Sequence, residues 1–84
     1  MKTGMLWFDD SSRALREKVK DAADYYLEKY GQKPTLCLVN PITLNGRKRA
    51  AKGIEMRGVR TVMPDHFLLG VNLEGSVQGN GRQN

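Results

Sequence analysis

The spacing of apolar residues in the first half of the chain predicts one long helix. Apolar side chains recur three or four positions apart, which places them on one helical stripe: Leu15, Val19, Ala22, Tyr26 and Tyr30, with Ala23 widening it. The polar residues 9–12, Asp-Asp-Ser-Ser, precede this stripe and are typical of helix caps, so we expect the helix to begin near Ser12. Gly31 and Pro34 predict where it ends.

Short apolar or alternating segments predict the strands, and they cover residues 5–8, 35–39, 54–57, 59–63 and 66–72. Residues 35–39 and 66–72 are apolar on both faces, which is typical of covered strands, and we expect 35–39 to lie at the centre of the sheet. Between 54 and 63 the alternation changes phase at Gly58. We therefore expect a bulge or a tight turn at this glycine.

Together these elements predict an α+β fold in which one long helix packs on a mostly antiparallel sheet of four to five strands. The elements follow the order strand, helix, strand, strand, strand, and the first crossover lays the helix on one face of the sheet. The chain has 84 residues, enough for one core. We expect a single domain over residues 1–76 and a flexible polar tail over 77–84, where apolar content is low.

The segment between Thr43 and Gly53 is polar and basic, and the Asn45-Gly46 pair within it predicts a turn. We interpret the segment as a protruding loop. An alternative is a short second helix over residues 47–52, because Arg-Lys-Arg-Ala-Ala-Lys has good helix propensity.

Composition and charge narrow the classes of protein to consider. Hydrophobic residues are 39% and charged residues 27% of the chain, an ordinary globular mixture. No apolar run is long enough for a membrane span, the apolar residues after Lys2 are too few for a secretory signal, and Cys37 is the only cysteine. We therefore expect a cytoplasmic protein with no membrane partner.

The second half of the chain carries most of the positive charge. The formal net charge is +5, and residues 43–84 hold seven basic against three acidic side chains. Candidate contacts to nucleic acid or another anion are Arg47, Lys48, Arg49, Lys52, Arg57 and Arg60. Because residues 41–65 contain no aromatic side chain for base stacking, we expect such binding to be weak and non-specific, and a solvated loop is the alternative interpretation.

Catalytic and metal chemistry are poorly supported by the residue pattern. Cys37 lies between leucines, which indicates a buried, unreactive thiol, and His66 is interpreted as a strand-edge residue. The Asp9-Asp10 pair is explained by capping, and one Cys with one His cannot supply a structural zinc site. The glycines form no nucleotide-binding pattern, so we expect no metal and no cofactor.

Two aromatic residues predict a partner surface. Trp7 and Phe8 are adjacent on a strand, so one of them must lie off the core face, and Tyr25 is displaced from the helical stripe. We take Trp7 and Tyr25 as the candidate contacts. The favoured function is a non-catalytic binding or accessory module that acts through a protein partner; a nucleic-acid-binding module using residues 46–52 is second, and a small enzyme is third.

Overall fold

The computed structural model describes residues 2–47 and 51–72, and it confirms the α+β fold with one long helix on a sheet. The elements in chain order are β1 (Lys2–Phe8), α1 (Leu15–Tyr30), β2 (Leu36–Val39), α2 (Pro41–Leu44), β3 (Glu55–Gly58) and β4 (His66–Val71). The described strands form one four-stranded sheet. The proposed limit of the domain at residue 76 and the tail over 77–84 lie outside the described residues.

The strand order in the sheet is β1-β4-β2-β3, so the last strand of the chain lies between the first two. β4 is antiparallel to both β1 and β2, whereas β2 and β3 are parallel. The sheet is therefore mixed, with two antiparallel pairings and one parallel pairing. A parallel pair needs a crossover connection, and residues 40–54, which include α2, make the return from β2 to β3.

The helix α1 begins later than predicted. Its N-cap is Ala14, whose side chain cannot cap, and the expected cap residues instead form a turn of their own. The Asp9 carboxylate accepts a hydrogen bond from the Ser11 N–H at 2.9 Å, and the bonds from Ser11 lower the pKa of Asp9 below its usual value. The predicted end is confirmed: Gly31 has a φ of 75°, and its N–H donates to the Leu27 carbonyl at 2.8 Å.

The predicted stripe of α1 is confirmed over most of its length. Val19, Ala22 and Tyr26 are fully buried, whereas Tyr30 at the end of the stripe is 37% exposed and its ring packs at a tilt against that of Tyr26. The stripe faces a core shared with all four strands, formed with Met5, Cys37, Val39, Ile54, Met56, Phe67 and Leu69. Lys18 on the same helix is also buried. A lysine tolerates such a position since its aliphatic stem can cover apolar surface while its ammonium group extends towards water.

The prediction that residues 35–39 form a central strand covered on both faces is largely confirmed. β2 lies between β4 and β3. Its helix-facing residues Cys37 and Val39 are fully buried, Leu36 on the other face is 4% exposed, and Leu38 is half-buried.

The predicted strand over residues 59–63 is wrong. β3 ends at Gly58, and the chain then turns, with the Val62 N–H donating to the Val59 carbonyl at 3.2 Å. α2 packs against this point: a Cβ on Gly58 would lie 3.4 Å from the Pro41 Cγ atom. The phase change at Gly58 therefore marks the end of β3, at the point where Pro41 of α2 packs closely against the glycine.

The short helix α2 was not predicted at its observed position. Pro41 occupies its first turn, the Asn40 side chain accepts a hydrogen bond from the Ile42 N–H at 2.9 Å, and Asn45 ends it in the left-handed region. The alternative helix over 47–52 is not seen in its described part, because Ala51 forms a bridge with Ile54 and Lys52 lies in a turn. Residues 48–50 lie outside the described part.

Candidate functional site

The face of the sheet opposite α1 carries apolar side chains where polar ones are usual. On β1, Met5 and Trp7 lie on the helix side, while Leu6 and Phe8 on the other side are 62% and 57% exposed. Leu6 lies opposite Leu68 on β4, which in turn lies opposite Leu38 on β2. An antiparallel sheet with one solvated face normally alternates apolar and polar residues, so this leucine row points to a binding surface.

The most exposed part of this open face lies at the edge of the sheet. β1 pairs with β4 and stands last in the strand order of the described residues, so its outer backbone N–H and C=O groups face away from the sheet. The register with β4 is regular from Met5 to Phe8 and shifts between Lys2 and Met5. The part of β1 that pairs regularly with β4 therefore also carries the exposed side chains of Leu6 and Phe8.

The Phe8 ring is held in place by its neighbour on β4. Its centroid lies 4.8 Å from that of the His66 ring, and His66 Nδ1 lies 2.9 Å from the Pro64 carbonyl oxygen. The strand register places His66 and Cys37 on opposite faces of the sheet, so they do not form a nucleophile–base pair. His66 instead belongs to the apolar open face.

The two predicted partner residues lie together on the helix side of β1. The Trp7 and Tyr25 ring centroids are 5.4 Å apart, and Tyr25 is 48% exposed. The Trp7 Nε1 atom is buried and has no hydrogen-bond acceptor among the described residues. With Asp21, Asp24 and Glu28 these rings line a shallow cleft of about 410 Å³ beside the β1 edge.

The sequence named Trp7 and Tyr25 as partner contacts, did not name Leu6, and left Phe8 as the alternative to Trp7 for the residue off the core face. The structure packs Trp7 against the core instead. The sequence showed that Trp7 and Phe8 face opposite sides of a strand. Which of them faces outward depends on the face that α1 covers, and the structure turns Phe8 outward. The role of Trp7 and Tyr25 in binding stays a prediction.

The predicted basic contacts are distributed over several elements. Arg47 and Lys52 are exposed, the first after α2 and the second in the turn before β3, and Arg60 is exposed in the turn after β3. Arg57 lies on β3 and pairs with Glu55 at 2.6 Å, a bond that lowers the pKa of Glu55. Lys48 and Arg49 lie outside the described residues, so the contact of this group with nucleic acid stays a prediction.

The described residues also bear on metal and membrane chemistry. No group of three or more His, Cys, Asp or Glu side chains in the described ranges is arranged to hold a metal ion. None of the described helices is long and apolar enough to cross a membrane.

Comparison with known proteins found no matching family model, no matching curated protein and no matching solved structure.

The buried thiol of Cys37 gives a first testable prediction. Cys37 is fully buried on the helix side of β2, and burial raises the pKa of its thiol to about 12. We expect a thiol reagent to label the native protein at least about a thousandfold more slowly than the protein in denaturant, because labelling requires opening of the central strand.

The same burial predicts a loss of stability at high pH. An unfolded cysteine ionises near pH 8.5, so the unfolded state is favoured as the pH rises above that value, by about 1.4 kcal/mol per pH unit until the native pKa is reached. Denaturant unfolding between pH 8 and pH 11 measures this slope. The control Cys37→Ala should lose the contribution of the thiol and keep that of buried Tyr26, whose pKa is also raised by burial. In the labelling experiment described above, rapid reaction of the native protein with the thiol reagent would contradict the burial of Cys37.

Proposed function

We propose that this chain is a non-catalytic binding module that captures an extended segment of a protein partner at the outer edge of β1, which pairs with no other described strand. The observation that supports it is the coincidence of exposed Leu6 and Phe8 with regular edge backbone in β1. An added strand would hydrogen-bond to that backbone, and alternate side chains of the strand would cover the two apolar residues. Burial of a Leu or Phe side chain contributes about 1.5–3 kcal/mol each.

On the helix side of β1, an added strand would make a second contact with this chain. Side chains of an added strand alternate between faces, so those not covering Leu6 and Phe8 would lie over Trp7 and Tyr25. Asp21 and Asp24 already pair with Arg13 and Lys20, so Glu28 is the carboxylate of the cleft near Trp7 that favours a basic residue. The preferred partner segment therefore alternates apolar with basic residues.

A different protein is favoured over a second copy of the chain as the occupant. The formal net charge of +5 makes two copies repel each other. The nucleic-acid alternative is less well supported by the described residues, since Arg47, Lys52 and Arg60 lie in separate turns and Arg57 is paired with Glu55. It stays a second prediction, tested by a salt-dependent gel shift.

A peptide-display selection against the 84-residue chain tests the proposal. We expect the enriched peptides to alternate apolar and basic residues and to shift the backbone amide NMR signals of β1. The double variant Leu6→Asp/Phe8→Asp should weaken their binding by about 100-fold, because two apolar contacts are replaced by charges at the interface.

The matched control is Ile42→Asp in α2, where the isoleucine is 77% exposed and lies outside the β1 edge. This variant should bind the peptides like the wild type. Peptides that bind the double variant as tightly as the wild type, or a dimer of the chain joined through β1 in sedimentation, would contradict the proposal.

A further inference from the structure

A second concave surface lies on the other side of α1, away from β1. It is a groove of about 820 Å³ between α1 and the turn that leads into β3, a volume within the range of small-molecule sites. Ala23, Leu27 and Ile54 are among its apolar lining residues. Leu27 is 39% exposed there although it lies next to the buried stripe of the helix. The groove shares only Asp24 with the residues that line the cleft near Trp7.

The rim of this groove is positively charged. Lys20 pairs with Asp24 at 2.9 Å, and Glu17 pairs with Arg13 at 3.6 Å, so both carboxylates of the groove already have cationic partners. The remaining cations are Arg16, Lys33 and Lys52, and none of them forms an ion pair with a described carboxylate. The groove therefore offers an apolar surface bordered by three cations without counter-charges in the described residues.

We propose that this groove binds a small amphiphilic anion, an aliphatic chain that ends in a carboxylate or phosphate group. The chain would cover Leu27, Ala23 and Ile54, and removal of that surface from water would supply most of the affinity. The head group would lie among Arg16, Lys33 and Lys52, which excludes cationic ligands and disfavours neutral ones. Lys52, first considered as a nucleic-acid contact, would then bind this anion instead.

Calorimetric titration of the full chain with four decyl probes tests this site: decanoate, decyl phosphate, decanol and decyltrimethylammonium, each below micelle formation. We expect saturable binding of at least one anion, with amide NMR shifts confined to the groove lining, which lies in α1, residues 33–35 and residues 51–54. Binding of decanoate alone identifies a carboxylate site, and binding of decyl phosphate alone identifies a phosphate site. An anion that binds should do so at least about tenfold more tightly than decanol, and the ammonium probe should not bind.

Variants separate the role of the groove from that of overall charge. Arg16→Gln/Lys33→Gln/Lys52→Gln should weaken anion binding by about tenfold or more. The control Lys29→Gln/Arg47→Gln/Arg60→Gln removes the same charge from exposed residues outside the groove lining, and should change affinity less than about threefold. Leu27→Asn should remove binding of both anions without loss of the fold, since the leucine is partly exposed.

Three results would overturn the inference: no saturable binding of either anion, equal binding of the ammonium probe, or NMR shifts at β1 instead of the groove. The Leu6→Asp/Phe8→Asp variant should bind the anions normally. Failure of the groove and failure of the β1 interface are therefore distinguished by separate variants.

Discussion

Replacing Val19 with aspartate is expected to unfold the domain at room temperature. Val19 is fully buried at the centre of the α1 stripe, where a carboxylate would lose its hydration without gaining a partner. The cost of several kcal/mol approaches the total stability of a domain of this size, which is about 5–10 kcal/mol. Circular dichroism during thermal unfolding measures the effect.

The control for this variant is Lys29→Asp on the same helix. Lys29 is exposed in the last turn of α1, so the same side chain there should cost only about 1 kcal/mol, through the helix dipole. Equal melting temperatures for Val19→Asp and the wild type would contradict the docking of α1 through this stripe.

Replacing Phe67 with alanine is expected to lower the free energy of unfolding by about 3–5 kcal/mol, because the change removes a large buried ring and leaves a cavity. Phe67 is fully buried on β4, between Trp7 on β1 and Val39 on β2 in the strand register. The loss therefore falls at the point where three strands meet. Urea unfolding of the two proteins measures it.

The chain offers a matched control in Phe8→Ala. Phe8 is 57% exposed on the open face, so the same change of side chain should cost less than about 1.5 kcal/mol. If both variants lose the same stability, the assignment of the two sheet faces is wrong. A modest effect of Phe8→Ala on stability, together with a strong effect of Phe8 substitution on peptide binding, would support its role at the interface.

Some residues of the proposed surfaces were already named from the sequence. Trp7 was named because adjacent strand residues face opposite sides, Tyr25 because it is displaced from the helical stripe, and Lys52 because it belongs to a basic segment. Leu6 was missed because a single exposed leucine has no distinctive signature. The groove was missed because its two walls, α1 and residues 51–54, are distant in the chain and meet only in the folded structure.

Local spacing determined the main elements of this protein. The stripe through Val19 and Tyr26 predicted α1, and Gly31 predicted its end, because helix periodicity and left-handed caps depend on neighbouring residues. The apolar runs over residues 35–39 and 66–72 predicted the covered strands β2 and β4, since a run of consecutive apolar residues is also a local pattern.

The tertiary structure alone decided how these elements combine. The insertion of β4 between β1 and β2 makes β1 an edge strand, and no local pattern specifies which strand becomes the neighbour of another. The face of the sheet that α1 covers also decides that Phe8, not Trp7, faces outward, since a strand read by itself fixes alternation but not the buried side. At Gly58 the packing of α2 on β3 ended a strand that the alternating residues 59–63 would otherwise have continued.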